Sequence, residues 1–233
     1  MSQVSAVGAL ALAAVSVSGG SMVMKGQFLE RPTLIPLPNG LVLEGVSHRG
    51  ERQPGVLVLP PLPADGSGMD HVVGAELAYA VSHAGHQCLR FNFRGVGASQ
   101  GKPSTDGAEL LEDAIAAWEL ARDNAEGHAP LIVSIGTSDR IAKKLLDAVS
   151  VAGWAMIHPS LTAFSPPVPH LVVLPELEGS GPRRDWAAKV DDGALTIVLG
   201  ADRSYQRNLP QVGKAVVALL RQVGSRPGTP ETH

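Results

Sequence analysis

Short apolar runs, rich in Val, Ile and Leu, recur along the chain and are separated by segments of different pattern. They are "GVLVLP" (55–60), "QCLRFNF" (87–93), "PLIVSI" (130–135), "GWAMIH" (153–158), "HLVVLPE" (170–176) and "ALTIVLG" (194–200), with "LVLEGVS" (41–47) before them. Strands this continuously apolar have both faces covered, which is the habit of parallel sheets. Between them lie helical periodicities. Residues 70–84 place Val72, Val73, Leu77, Ala80 and Val81 on one side. Residues 106–124 place Leu111, Ile115, Trp118 and Ala121 on one face, with acidic residues in the first turns, where the helix dipole favours them. Residues 139–150 build on Ile141, Leu145, Leu146 and Val149, and 210–223 on Val212, Val216, Leu219 and Leu220. Strand–helix alternation predicts an α/β fold, with a mostly parallel central sheet and helices on both faces. Sites in such folds lie beyond the carboxyl ends of the strands. The residues to inspect are therefore 60–70, 92–101, 136–140, 158–164, 176–184 and 200–206.

One domain accounts for the length: 233 residues is within the range of a single core. It is expected over 25–223, with a disordered polar tail at 224–233. Residues 1–24 are expected outside the fold. Residues 4–19 are small and apolar, with no Lys or Arg before them, and the run is short for a membrane span. Three readings stand: a start upstream of the true one, with Met22 or Met24 as candidates, a weak export signal, or a small-residue tail. The first is favoured, which places the protein in the cytoplasm, with export as the alternative. No stable membrane span is expected. The net charge of −3, with no basic stripe, argues against nucleic-acid binding. The single cysteine, Cys88, excludes an internal disulfide framework and reads as a small buried hydrophobe. His83, His86 and Cys88 do not have zinc-ligand spacing, so no metal is expected.

The loop "RFNFRGVGASQG" (90–101) contains Gly95, Gly97 and Gly101 after a strand. A dinucleotide-binding turn must open directly into a helix whose N-terminus meets the pyrophosphate. Here Lys102-Pro103-Ser104 intervenes, and no acidic residue ends the next strand. No cofactor is expected, and a nicotinamide-dependent oxidoreductase fails on this spacing.

A second stretch, "LIVSIGTSDRIAKKL" (131–145), passes from strand to helix through Gly136-Thr137-Ser138-Asp139-Arg140. This nearly matches the G-x-S-x-G elbow that presents a nucleophilic serine. Ser138 takes the nucleophile position. Arg140 stands where the second glycine avoids a clash. The bland alternative is that Ser138 caps the helix.

The segment "RFNFRGVGASQG", preceded by "PPLPADGSGMD" and followed by a helix, a strand and a G-x-S turn, resembles the small lidless α/β-hydrolases of bacteria. The resemblance runs from about Leu41 to Val223 and implies the α/β-hydrolase fold without a lid, and so a shallow, open pocket. It also implies site positions. The Asp139 and Leu62 N–H groups stand at the oxyanion-hole positions, although Pro60-Pro61-Leu62-Pro63 replaces the family's H-P-x-P. Glu178 falls at the acid position. The histidine position holds Arg203, flanked by Asp202 and Tyr205. Arginine cannot deprotonate a serine, because its pKa lies above about 12. Glu178 and Arg203 are therefore expected to form an ion pair in place of the catalytic pair, or else to be two solvated charges. His158 and His71 could each approach the pocket, and His158 is the alternative base. Arg140, Asp202 and Tyr205 are expected around it.

Two functions follow. One is an impaired or inactive hydrolase homologue that binds a small molecule or protein. The other is a serine hydrolase of small esters or thioesters, using Ser138 with a noncanonical base.

Overall fold

The computed structural model describes residues 30–191 and 193–225. The expected segment 1–24, and residues 226–233 of the expected tail at 224–233, lie outside the described residues. Eight strands form one sheet: β1 (Arg31–Pro36), β2 (Val42–His48), β3 (Arg52–Leu59), β4 (His86–Phe91), β5 (Leu131–Ile135), β6 (Gly153–Ile157), β7 (His170–Pro175) and β8 (Leu195–Val198). Their order is β1-β2-β4-β3-β5-β6-β7-β8. β1 pairs with β2, and β2 with β4, antiparallel; every pairing from β4 through β8 is parallel. Five helices connect them: α1 (Val72–His83), α2 (Gly107–Asn124), α3 (Asp139–Ala148), α4 (Ser180–Ala187) and α5 (Leu209–Gly224).

Side chains along the central strands alternate between two cores. Leu57, Leu59, Ile132, Trp154 and Met156 pack with residues of α2, α3 and α4. Val56, Val58, Leu131, Val133, Ala155 and Ile157 pack with α1 and α5. Helices on both faces explain why these strands read as continuous apolar runs.

Two elements escape the sequence patterns. β1 is an edge strand in which only Ile35 is buried, and its ends carry Pro32 and Pro36. α4 has eight residues and buries Trp186 alone, so it has no apolar period to find. The face of α2 also rotates slightly. Leu110, Ala114, Ala117, Trp118 and Ala121 are buried, while Leu111 and Ile115 are only partly so. On α1, Val72 is exposed and Gly74 and Ala78 are buried. Gly224 belongs to α5 rather than to a tail.

The loop at 90–101 is built around its own chain. Arg94 donates from its backbone N–H and from Nε and Nη2 to the fully buried Asp113 at 2.7–2.9 Å. Asn92 accepts the Met69 N–H at 2.7 Å and donates to Glu44 at 2.9 Å. Gly95 has φ 71°, and a Cβ there would stand 2.1 Å from the Pro103 nitrogen. Its lack of a side chain serves loop closure. Cys88 lies in the middle of β4, and burial pushes its thiol up to about 12. It is expected to resist thiol reagents in the native state and react only on unfolding, since the thiolate is the reactive form. Labelling by Ellman's reagent with and without urea measures this.

Candidate functional site

Residues following the carboxyl ends of β3, β5, β6 and β8 converge on one cleft. Its volume is 250 Å³, and its lining includes Pro61, Asp65, His71, Gly136, Thr137, His158, Arg203 and Tyr205. Each comes from a segment immediately following a strand, or from the loop leading into α1.

The turn after β5 does not present Ser138 to this cleft. Ser138 is fully buried, and its Oγ accepts the Ile135 N–H at 3.0 Å. The carbonyls of Leu59 and Ile135 are its acceptors, each at 3.0 Å. The side chain points inward and ties β5 to the end of β3. Nor does Ser138 cap α3 through its side chain. The residue that opens on the cleft is Gly136, the first after β5, with φ 58°. A Cβ built on it meets nothing within 4 Å outside its chain neighbours. β5 ends at Ile135, and the end of that apolar run was the sequence signal for Gly136.

The expected oxyanion N–H groups are also engaged. Leu62 N–H donates to Thr137 Oγ1 at 3.3 Å, and the Thr137 hydroxyl in turn donates to Asp65. The Asp139 N–H turns back to the carbonyls of Gly136 and Thr137. The Asp139 side chain is fully buried and accepts from Ser160 N, Ser160 Oγ and Leu161 N at 2.5, 2.8 and 2.7 Å. Burial raises its pKa, and these donors oppose the rise. It pins the loop after β6 to the start of α3.

That loop begins with His158, held at φ 52°. His158 Nδ1 lies 3.1 Å from Glu178 Oε2, and Arg203 Nη2 lies 3.0 Å from Glu178 Oε1. The structure thus brings Glu178 and Arg203 together and adds His158 to them. The Glu178 side chain is largely buried, whereas that of Arg203 is largely exposed. Burial is the main cause that lowers the His158 pKa; Glu178 raises it and Arg203 lowers it further. His71, the N-cap of α1, accepts the Val73 N–H on Nδ1 at 3.3 Å, and burial lowers its pKa too.

The remaining expected pocket residues divide. Tyr205 borders the cleft, but its hydroxyl is committed to the Val173 carbonyl at 3.0 Å. Arg140 and Asp202 are exposed and stand outside the lining. Arg140 finds room because it faces solvent on α3. Asp202 instead caps the following turn through Ser204 N and Oγ, at 2.9 and 2.6 Å. Among the described residues no group of three or more His, Cys, Asp or Glu side chains could hold a metal ion. Among them also, no helix is long and apolar enough to cross a membrane.

No protein-family model and no curated protein matches the chain. Solved structures do. An alpha-beta serine hydrolase homologue from Coxiella burnetii aligns at 23% identity and a TM-score of 0.67, over 82% of this chain and 96% of that one. A serine hydrolase without lid from Xanthomonas campestris aligns at 21% identity and a TM-score of 0.67, over 86% and 97%. An esterase from Pyrococcus furiosus aligns at 13% identity and a TM-score of 0.64, over 85% and 94%. The eight-stranded, mostly parallel sheet and these likenesses show an α/β-hydrolase fold without a lid.

Proposed function

We propose that this protein binds a small molecule in the cleft above Gly136 and has lost the covalent chemistry of a serine hydrolase. The observation that carries the reading is Gly136 itself. The elbow nucleophile sits on the sharp turn directly after its strand, in strained backbone. Gly136 occupies that place, with positive φ, open space at its Cβ and the cleft in front of it. Ser134-Ile135-Gly136-Thr137-Ser138 then replaces G-x-S-x-G, with glycine and serine exchanged at every defined position. Ser138 falls at the second small-residue position, where close packing explains its burial.

The other site features support this reading. Arg203, at the position the resemblance gives to the catalytic histidine, holds Glu178 in an ion pair at 3.0 Å and cannot act as a base. The Leu62 N–H, an oxyanion donor in the resemblance, is spent on Thr137. Oxyanion donors contribute only when they are free to meet the developing charge. A serine hydrolase working through Ser138 would first have to break that hydroxyl's backbone hydrogen bonds.

Labelling with a fluorophosphonate tests the reading. The wild-type protein is expected to remain unlabelled and to release no burst of p-nitrophenol from p-nitrophenyl acetate. Stoichiometric labelling at Ser138, abolished by Ser138→Ala, would overturn it. Ser138→Ala should instead act on stability alone. It leaves the buried Ile135 N–H without its acceptor, at a cost of about 1–3 kcal/mol. Urea unfolding midpoints check this.

A further inference from the structure

The two imidazoles bordering the cleft are set in opposite senses. His71 accepts the Val73 N–H on Nδ1, so its neutral ring carries its proton on Nε2. His158 has Nδ1 3.1 Å from the Glu178 carboxylate, an ion-pair contact without hydrogen-bond alignment; because a carboxylate can only accept, it favours the neutral ring with its proton on Nδ1 and a lone pair on Nε2. The side chain of His158 is 22% exposed, and it borders the same 250 Å³ cleft as His71. One ring therefore offers a donor, and the other an acceptor backed by a carboxylate. Pro61, Val73 and Ile135 add apolar side chains to the lining of the same cleft.

From this pairing we infer that the cleft acts on small uncharged ketones by proton transfer, with His158 as the base and His71 as the hydrogen-bond donor to the carbonyl oxygen. The inference rests on the binding reading above and names what the site does to its ligand. His158 Nε2 takes a proton from the carbon next to the carbonyl. The C–H electron pair becomes the C=C bond of the enolate, and the carbonyl π pair moves onto oxygen, which the His71 N–H stabilises. Return of a proton from His158 restores the ketone. No protein nucleophile, oxidant or cofactor enters the balance, so a glycine at position 136 is no obstacle; it leaves room for the ligand.

The charges around the base suit this role. Glu178, Arg203 and Asp139 are the charged groups acting on His158. Glu178 is balanced by Arg203, while Asp65 adds a negative charge at the cleft. Burial is the main cause that lowers the pKa of both histidines, which favours the neutral ring in each. The lining then carries Asp65 and Arg203, whose charge Glu178 balances from behind, which favours an uncharged ligand over a carboxylate.

Exchange of the α-protons of cyclohexanone in D2O, followed by proton NMR, tests the inference. The wild-type protein should accelerate exchange above an equal concentration of free imidazole. His158→Asn, which tolerates the left-handed backbone, should lower the rate by about 100-fold or more, as for loss of a general base. His71→Asn keeps a capping side chain while removing the ring donor, and should also slow exchange. The rate should rise with pH and level off as His158 loses its proton. Arg203→Ala should move that inflection upward, because the guanidinium no longer opposes protonation; a purely structural arginine would leave it in place. Exchange no faster than with imidazole, or unchanged in a folded His158→Asn variant, would overturn the inference. Fluorophosphonate labelling of Ser138 bears on the binding reading alone, so the two failures are distinguishable.

Discussion

Gly136→Ser is expected to convert a protein that fluorophosphonates leave untouched into one labelled at position 136. The residue is the first after β5, faces the cleft and has no neighbour within 4 Å of its would-be Cβ beyond the adjacent residues. A hydroxyl there would share the cleft with His158, already backed by Glu178 at 3.1 Å. Nucleophile, base and orienting acid would then be present together, which is what an inert serine needs. The gain in p-nitrophenyl acetate hydrolysis should be about 100-fold or more over wild type, the contribution of a positioned base. It should stop well short of an efficient hydrolase, because the Leu62 N–H is spent on Thr137 and one missing oxyanion donor costs about 10²–10³ in rate. A non-glycine side chain at φ 58° should also cost about 1–3 kcal/mol of stability. Mass spectrometry of the labelled peptide decides the matter. If a folded Gly136→Ser protein stays unlabelled, Gly136 is not the seat of the nucleophile.

Asp139→Ala is expected to be the most damaging substitution near the cleft without touching its lining. The carboxylate is fully buried and receives two backbone N–H groups and one hydroxyl from Ser160 and Leu161. Removing it leaves these three donors, on the exposed Ser160 and the half-buried Leu161, without their acceptor, so a loss of about 1–3 kcal/mol follows. It also frees the loop that starts at His158, so ligand-induced shifts of the Gly136 and Thr137 amides in NMR spectra should weaken with it. Asp139→Asn keeps one acceptor oxygen and should fall between the two. Urea unfolding provides the measurement, and a loss below about 1 kcal/mol would show that the loop is held by other contacts.

Arg203 and Glu178 show how far sequence carries at the site. Their expected pairing depends on each following a neighbouring parallel strand, β7 and β8, and the side chains meet at 3.0 Å. His158 was legible as a residue at the right end of the sheet. Its contact with Glu178 was not, because the left-handed backbone at His158 and the Asp139 anchor set the ring's direction. The glycine-rich loop was legible as a poor phosphate cradle, while its actual partners, Asp113, Glu44 and Met69, lie far away in sequence.

The parallel sheet, its two covering helical layers and the location of the site beyond the strand ends were set by the sequence alone, because apolar periodicity is local and burial follows it. The roles of Gly136 and Ser138 were decided only in three dimensions. A G-x-S pattern does not say where its strand stops, and a shift of two residues along a tight turn exchanges the side chain that faces the cleft for one that faces the core. β5 stops at Ile135, so Gly136 takes the exposed seat and Ser138 turns inward to the Leu59 carbonyl.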